Sequence, residues 1–166
     1  MKSLTIASFV SALYALWLSN YVAEGTTVVV NDCKLENLSP GVLDVKEMKI
    51  NNGMIDNVAV DIKGQITSGL IMCDMRVIDE NGETLFEQRQ TDLCSLAANE
   101  YVKPIFEALT KSGMNSECPY DSGSFETGSM NVDSNGAPAG TYTLILEVFE
   151  GAELLSRTTA KLEIQE

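Results

Sequence analysis

Apolar and polar residues alternate with a period of two over most of this sequence, and that period is typical of half-buried β-strands. Residues 58–62 read Val, Ala, Val, Asp and Ile, and the same alternation is present in residues 71–77 and 142–148. A turn at Glu150-Gly151 then leads into a further alternating segment, Leu154–Ile164. Each of these segments is therefore predicted to be a strand with one face buried.

Shorter apolar segments extend the same pattern. Thr27–Val30 and Leu43–Ile50 are plausible strands, and Gly123–Val132 is a weaker one. Thr84-Leu85-Phe86 follows Asn81-Gly82, and Asn-Gly between two strands is a strong hairpin signal. Seven or eight short strands separated by turns predict an all-β fold, an immunoglobulin-like sandwich of two antiparallel sheets.

One segment departs from the strand period. Leu93–Lys111 carries Leu96, Val102, Phe106 and Leu109 at spacings closer to helical. Ser95 is a candidate cap for this segment, Pro104 is expected to kink or divide it, and Gly113 is a candidate stop. It is predicted to form one or two short helical turns at the rim of the sandwich, where it either covers an open end of the core or forms part of a ligand portal.

The N-terminus has the composition of a signal peptide. Lys2 precedes an apolar run, Leu4–Leu18, that contains no ionisable residue, and Ala23-Glu24-Gly25 gives a small-x-small cleavage pattern. The run is shorter than the roughly 20 residues that a membrane span needs. Residues 1–25 are therefore predicted to be removed, leaving a secreted domain of residues 26–166 without a transmembrane anchor. An uncleaved anchor is the alternative.

The chain is strongly acidic, with 24 Asp and Glu residues against 11 Lys and Arg residues and a net charge of −13. Removing residues 1–25 takes away Lys2 and Glu24, so the net charge is unchanged. Nucleic-acid binding rests on basic side chains that neutralise phosphates, so a nucleic-acid partner is not expected. The charge is consistent with a soluble extracellular protein, and a lysosome, where carboxylates approach their pKa values, is the alternative destination.

Residues that carry catalytic or metal chemistry are scarce. The sequence contains no histidine, so triads and imidazole acid–base groups are absent, and we expect neither an enzyme nor a cofactor. Its four cysteines form no C-x-x-C pair, so a metal site is not expected either. An even number of cysteines after a signal peptide instead predicts two disulfides formed in an oxidising compartment.

The second half of the chain carries an ordered set of motifs. Cys94 opens the helical segment, Cys118-Pro119-Tyr120 closes it, and the strand GTYTLILEVF follows at Gly140–Phe149. With Val30-Asn31-Asp32-Cys33 near the N-terminus, this order resembles the ML lipid-recognition superfamily, especially its ganglioside-activator-like members and a related group of secreted arthropod proteins. The resemblance covers the N-terminal strand and roughly the second half of the chain.

The resemblance implies a Cys94–Cys118 disulfide, which leaves Cys33 and Cys73 as the second pair. The sequence departs from the ganglioside activator at this point, because the family member ties its N-terminal cysteine to the last strand. Leu154–Glu166 contains no cysteine, so that link cannot form here.

The resemblance also implies a function, which is to hold a lipid or another small apolar molecule between two sheets that part at one end. Burying an acyl chain gains roughly 0.8 kcal/mol per methylene, so few polar contacts are needed. A membrane receptor is a possible further partner. The alternative is an extracellular interaction module with a filled core, which binds a receptor or a basic partner through its surface. The expected cavity lining consists of Val60, Ile62, Ile71, Met75, Phe106, Leu144 and Leu146.

Overall fold

The computed structural model describes residues 27–98, 103–130 and 138–165, which form strands and two short helices. The first five strands precede the helices, and three follow them. Their bounds are β1 (Thr27–Asn37), β2 (Leu43–Asn51), β3 (Met54–Ile62), β4 (Ile71–Asp79), β5 (Thr84–Asp92), α1 (Leu93–Leu96), α2 (Lys103–Lys111), β6 (Gly123–Glu126), β7 (Gly140–Glu150) and β8 (Glu153–Gln165).

The strands make two antiparallel sheets. One has five strands in the order β1-β8-β7-β4-β5, and the other has three in the order β2-β3-β6. Every pairing within the two sheets is antiparallel. The all-β class, the two sheets and the short helical turns predicted from the sequence are confirmed.

The core joins the inner faces of both sheets. Val58, Val60 and Ile62 of β3 are buried in one cluster with Ile71 and Cys73 of β4. Their spacing of two places them all on the side that faces the other sheet. The helical region adds Leu96, Leu109, Met114 and Tyr120 to the same cluster. The packed core is therefore concentrated at the end of the sandwich that the helices cover.

The helical region follows the prediction in outline but not at its first cap. Asp92, rather than Ser95, caps α1, and its carboxylate accepts a hydrogen bond from the backbone N–H of Cys94 at 3.1 Å. Pro104 lies in the first turn of α2, where a missing N–H is tolerated. Gly113 has a φ of +110° just after α2, which favours glycine and ends the helix.

The Cys94–Cys118 disulfide implied by the resemblance is present and links α1 to the segment before β6. The second implied pair is wrong, because Cys33 and Cys73 are both free thiols.

The strand register explains why Cys33 and Cys73 cannot pair. Cys33 lies opposite Ala160, Ala160 opposite Leu144, and Leu144 opposite Val77. Three strand spacings therefore separate Cys33 from β4, and Cys73 is four residues further along that strand. With about 4.8 Å per strand and 3.3 Å per residue, the two Cα atoms are roughly 20 Å apart. A disulfide needs Cα atoms within about 7 Å.

Some predictions fall on residues outside the described ranges. These predictions concern the signal peptide (residues 1–25), Val102, and the end of the predicted strand at Val132. Among the described residues, no helix has the length and apolar character needed to cross a membrane.

Candidate functional site

An open cleft lies where the edge of one sheet meets the edge of the other. Its volume is about 480 Å³, which is within the range of roughly 300–1,000 Å³ typical of small-molecule sites. Strand β1 forms one wall, and β2 with the following turn forms the other. The lining residues are Val30, Asn31, Asp32, Cys33, Met48, Lys49, Ile50, Asn52 and Gly53.

The turn between β2 and β3 closes one end of this cleft. Asn52 and Gly53 both have positive φ, which is the conformation that a tight Asn-Gly hairpin requires. The Gly53 carbonyl accepts a hydrogen bond from the Val30 N–H at 2.9 Å. A Cβ at Gly53 would lie 2.8 Å from a methyl carbon of Val29. The turn thus packs closely on β1 and joins the two sheets there.

Bulges in β1 and β2 set which side chains face the cleft. The register of β1 shifts between Val30 and Asp32, so Val30 and Cys33 both face inward although they are three residues apart. The register of β2 shifts between Val45 and Glu47, which returns Met48 to the inner face. Inner-face side chains from both sheets therefore reach the surface at the cleft.

The cleft combines buried and half-buried apolar side chains with exposed polar ones. Asp32 and Lys49 are among the exposed polar residues, and the Lys49 ammonium is 3.3 Å from the Asp56 carboxylate. Burial, and to a smaller extent the charge of Asp32, raises the pKa of the Cys33 thiol. Cys33 is therefore mainly a neutral thiol at physiological pH, and it contributes to an apolar surface.

Most residues of the expected cavity lining come together in the core. Val60, Ile62 and Ile71 are buried members of the core cluster, and Met75, Phe106 and Leu146 pack against it. Their contact with a ligand stays a prediction, because packed core side chains and cavity walls have the same burial.

Leu144 differs from the other six expected residues, because it is half-buried and is not among the residues of the core cluster. It lies opposite Ala160, which in turn lies opposite Cys33, so the three share one row on the inner face. Two strand spacings of about 4.8 Å separate Leu144 from Cys33. The apolar inner face therefore continues from the cleft to Leu144.

Several lining residues of the cleft were missed in the sequence analysis. Val30, Met48 and Ile50 lie in predicted strands, but no binding role was assigned to them. Met48 and Ile50 alternate with Lys49, so the sequence carried the signal that these two share a face, whereas Val30 ends a run of three valines and shows no alternation. That β1 and β2 lie opposite each other depends on how the two sheets assemble, and a single sequence carries no signal for that assembly.

A second, smaller groove of about 140 Å³ lies on the outer face of the five-stranded sheet, beside Ile145. Its Glu87 carboxylate is 2.6 Å from the Arg89 guanidinium, and its Glu147 is 2.6 Å from Arg157. With Asp74 and Arg76, charged residues make up most of the lining, so this groove does not suit an apolar molecule. We therefore place the candidate site in the cleft between β1 and β2.

Comparison with models of known protein families finds no match to this chain, and comparison with curated protein sequences finds none either.

Proposed function

We propose that this protein is a secreted carrier that holds a lipid or another small apolar molecule between its two sheets. The observation that carries the proposal is the cleft, at which inner-face side chains of both sheets, Val30, Cys33, Met48 and Ile50, line an opening to the surface. The Cys94–Cys118 disulfide supports an oxidising compartment, either extracellular or lysosomal. The resemblance to the ML superfamily supports the same class of ligand.

The energetics of apolar burial fit such a site. A chain of about 14 methylene groups gains roughly 11 kcal/mol when it is fully buried. Micromolar binding corresponds to about 8.2 kcal/mol. The difference offsets part of the translational and conformational freedom that the ligand loses on binding. A long apolar chain can therefore bind without a charged partner.

Mass spectrometry tests the proposal directly. The full chain is secreted from a eukaryotic host, purified, and analysed under native conditions and after lipid extraction. We expect a co-purified apolar molecule, or binding of a fluorescent fatty acid that unlabelled hexadecanoic acid displaces. Absence of both would contradict the carrier function.

A matched pair of variants locates the ligand. Cys33→Phe places a large side chain in the cleft, and we expect it to weaken binding of the fluorescent fatty acid at least tenfold. Lys34→Phe is the control, because Lys34 is the next residue on β1 and points to the opposite face. Equal binding by both variants would place the ligand elsewhere.

The second candidate is an interaction module, and the packed core favours it. Val60, Ile62 and Ile71 fill the space between the sheets at the helical end instead of lining a hollow. A module of this kind retains no apolar molecule. It binds its partner through its acidic surface, so its affinity falls as salt is added.

A further inference from the structure

Three buried polar atoms have no hydrogen-bond partner among the described residues: Gln88 Oε1, Thr91 Oγ1 and the Tyr120 hydroxyl. Gln88 is only 9% exposed and Tyr120 only 1%. A buried polar group without a partner is costly, so native proteins keep few of them, and each calls for an explanation. Two of the three, Gln88 and Thr91, lie on the same strand, β5.

The backbone of β5 is bent so that Gln88 and Thr91 share one face. Residues three apart on a regular strand point to opposite faces. Here Gln88 lies opposite Met75 and Thr91 lies opposite Cys73, so one extra residue is accommodated on β5. Gln90 takes a φ of +52° at this bulge, and its N–H donates to the Asp74 carboxylate at 2.7 Å. A strained backbone residue thus directs two polar side chains inward.

The inner face of the adjacent strand, β4, offers no strong hydrogen-bond partner to Gln88 or Thr91. The inner face of β4 is formed by Ile71, Cys73, Met75 and Val77, which supply aliphatic groups, a thioether and a thiol. Cys73 is a neutral thiol, because burial raises its pKa to about 12. On the β4 side, the amide oxygen and the hydroxyl therefore have only apolar neighbours and a neutral thiol, on the same sheet face that carries the candidate ligand site.

We propose that Gln88 and Thr91 bind the polar head of the carried molecule, which is a long-chain amphiphile with a hydrogen-bond donor, such as an alcohol. The Gln88 oxygen accepts the ligand's O–H, and the Thr91 hydroxyl donates to the ligand's oxygen. This inference rests on the proposed carrier function. Four strand spacings, about 19 Å, separate β1 at the cleft from β5, so a ligand that reaches both ends is long.

The unaltered protein tests the head-group preference without any substitution. Hexadecan-1-ol and 1-methoxyhexadecane are tested one at a time for their ability to displace a fluorescent fatty acid from the protein. The two probes have the same alkyl chain, but only the alcohol can donate a hydrogen bond. We expect the alcohol to compete about tenfold better, because the ether leaves the Gln88 oxygen unpaired. Equal competition overturns the head-group site and leaves the carrier function standing, whereas binding of no apolar probe overturns both.

Two variants locate the preference on β5. Gln88→Leu and Thr91→Val keep approximately the volume and remove the polar atoms. We expect Gln88→Leu to reduce the alcohol-to-ether ratio to about threefold or less, because it removes the acceptor of the alcohol's O–H. Thr91→Val is expected to weaken binding of the alcohol and of the ether to a similar extent, because both probes carry the oxygen that accepts from Thr91. The control is Thr84→Val, at an exposed position of the same strand, which keeps the full ratio.

Thermal unfolding of the same variants shows whether they are still folded, so that a loss of binding can be separated from a loss of structure. Removing an unpaired buried polar atom is expected to leave the melting temperature unchanged or to raise it. A folded Gln88→Leu variant that keeps the tenfold preference, or a folded Thr91→Val variant that binds both probes as the unaltered protein does, contradicts the proposal.

Discussion

The two free cysteines, Cys33 and Cys73, differ in how exposed their thiols are. Both carry the same thiol, but Cys73 is 2% exposed in the core, and burial raises its pKa to about 12. Cys33 is half-buried and lines the cleft, and burial followed by the charge of Asp32 raises its pKa as well. Because the thiolate is the reactive form, a raised pKa lowers the reactive fraction at neutral pH. The greater exposure of its sulfur therefore makes Cys33 the more reactive of the two thiols.

Alkylation with N-ethylmaleimide should follow this difference. In the native, unreduced protein we expect labelling of Cys33 only, with a rate that rises about tenfold for each pH unit between 7 and 9. After denaturation without a reductant, Cys73 is labelled as well. Peptide mass spectrometry identifies the sites, and Cys33→Ser, which removes the native labelling, is the control. If Cys33 and Cys73 both stayed unlabelled in the denatured protein, they would be oxidised, and that result would contradict the structure.

At the scale of elements, Asp92 joins β5 to α1. Its carboxylate accepts hydrogen bonds from the Ser68 hydroxyl and the Cys94 N–H. Burial acts to raise the Asp92 pKa, but hydrogen bonds from Ser68, Gly69 and Cys94 outweigh it, so the pKa is lowered. A lowered pKa stabilises the fold at pH above the unfolded value of about 3.9, and this contribution is lost as the pH falls through the folded value.

Substitution of Asp92 should therefore destabilise the protein in a pH-dependent way. We expect Asp92→Ala to lower the free energy of unfolding by about 1 kcal/mol at pH 7, the typical effect of losing a cap, and by less at pH 3. Urea unfolding at the two pH values measures the difference. Ser95→Ala is the control, since Ser95 was the predicted cap but does not fill that position. A larger effect at Ser95 than at Asp92 would refute the assignment.

The elements themselves were largely predictable, because alternation and turn chemistry are local. The hairpin at Asn81-Gly82 is present, and Gly82 has the positive φ that the turn needs. The Asn52-Gly53 hairpin was overlooked although it carries the same signal. The bulges near Val30 and Gln90 could not be predicted, because hydrogen bonds to neighbouring strands determine them. Each bulge reverses the face that a strict period of two would assign, so Cys33 and Thr91 were unpredictable as inward-facing residues.

At the scale of the whole molecule, the two ends of the sandwich differ in packing. The core cluster, the disulfide and both helices lie at one end, where Ile66 and Tyr120 exchange backbone hydrogen bonds. Val30, Cys33 and Ile50 of the cleft and the half-buried Leu144 are outside that cluster, and only Met48 of the cleft packs against it. Six of the seven expected lining residues belong to the packed end or contact it, because one sequence reveals which residues face inward but not where two inner faces separate.

Hydrogen exchange should report this division and distinguish the two candidate functions. Backbone amides at the closely packed end are expected to exchange most slowly, because opening them exposes the core. Addition of hexadecan-1-ol should slow exchange in β1 and β2 around Val30 and Met48, where a bound chain excludes water, and should leave Ile66 and Tyr120 nearly unchanged. The Cys33→Phe variant is expected to lose this response. An interaction module gives another pattern, in which apolar probes change no amide and a protein partner protects surface strands instead. Only a carrier is therefore expected to show slower exchange at the cleft in the unaltered protein and no such change in the Cys33→Phe variant.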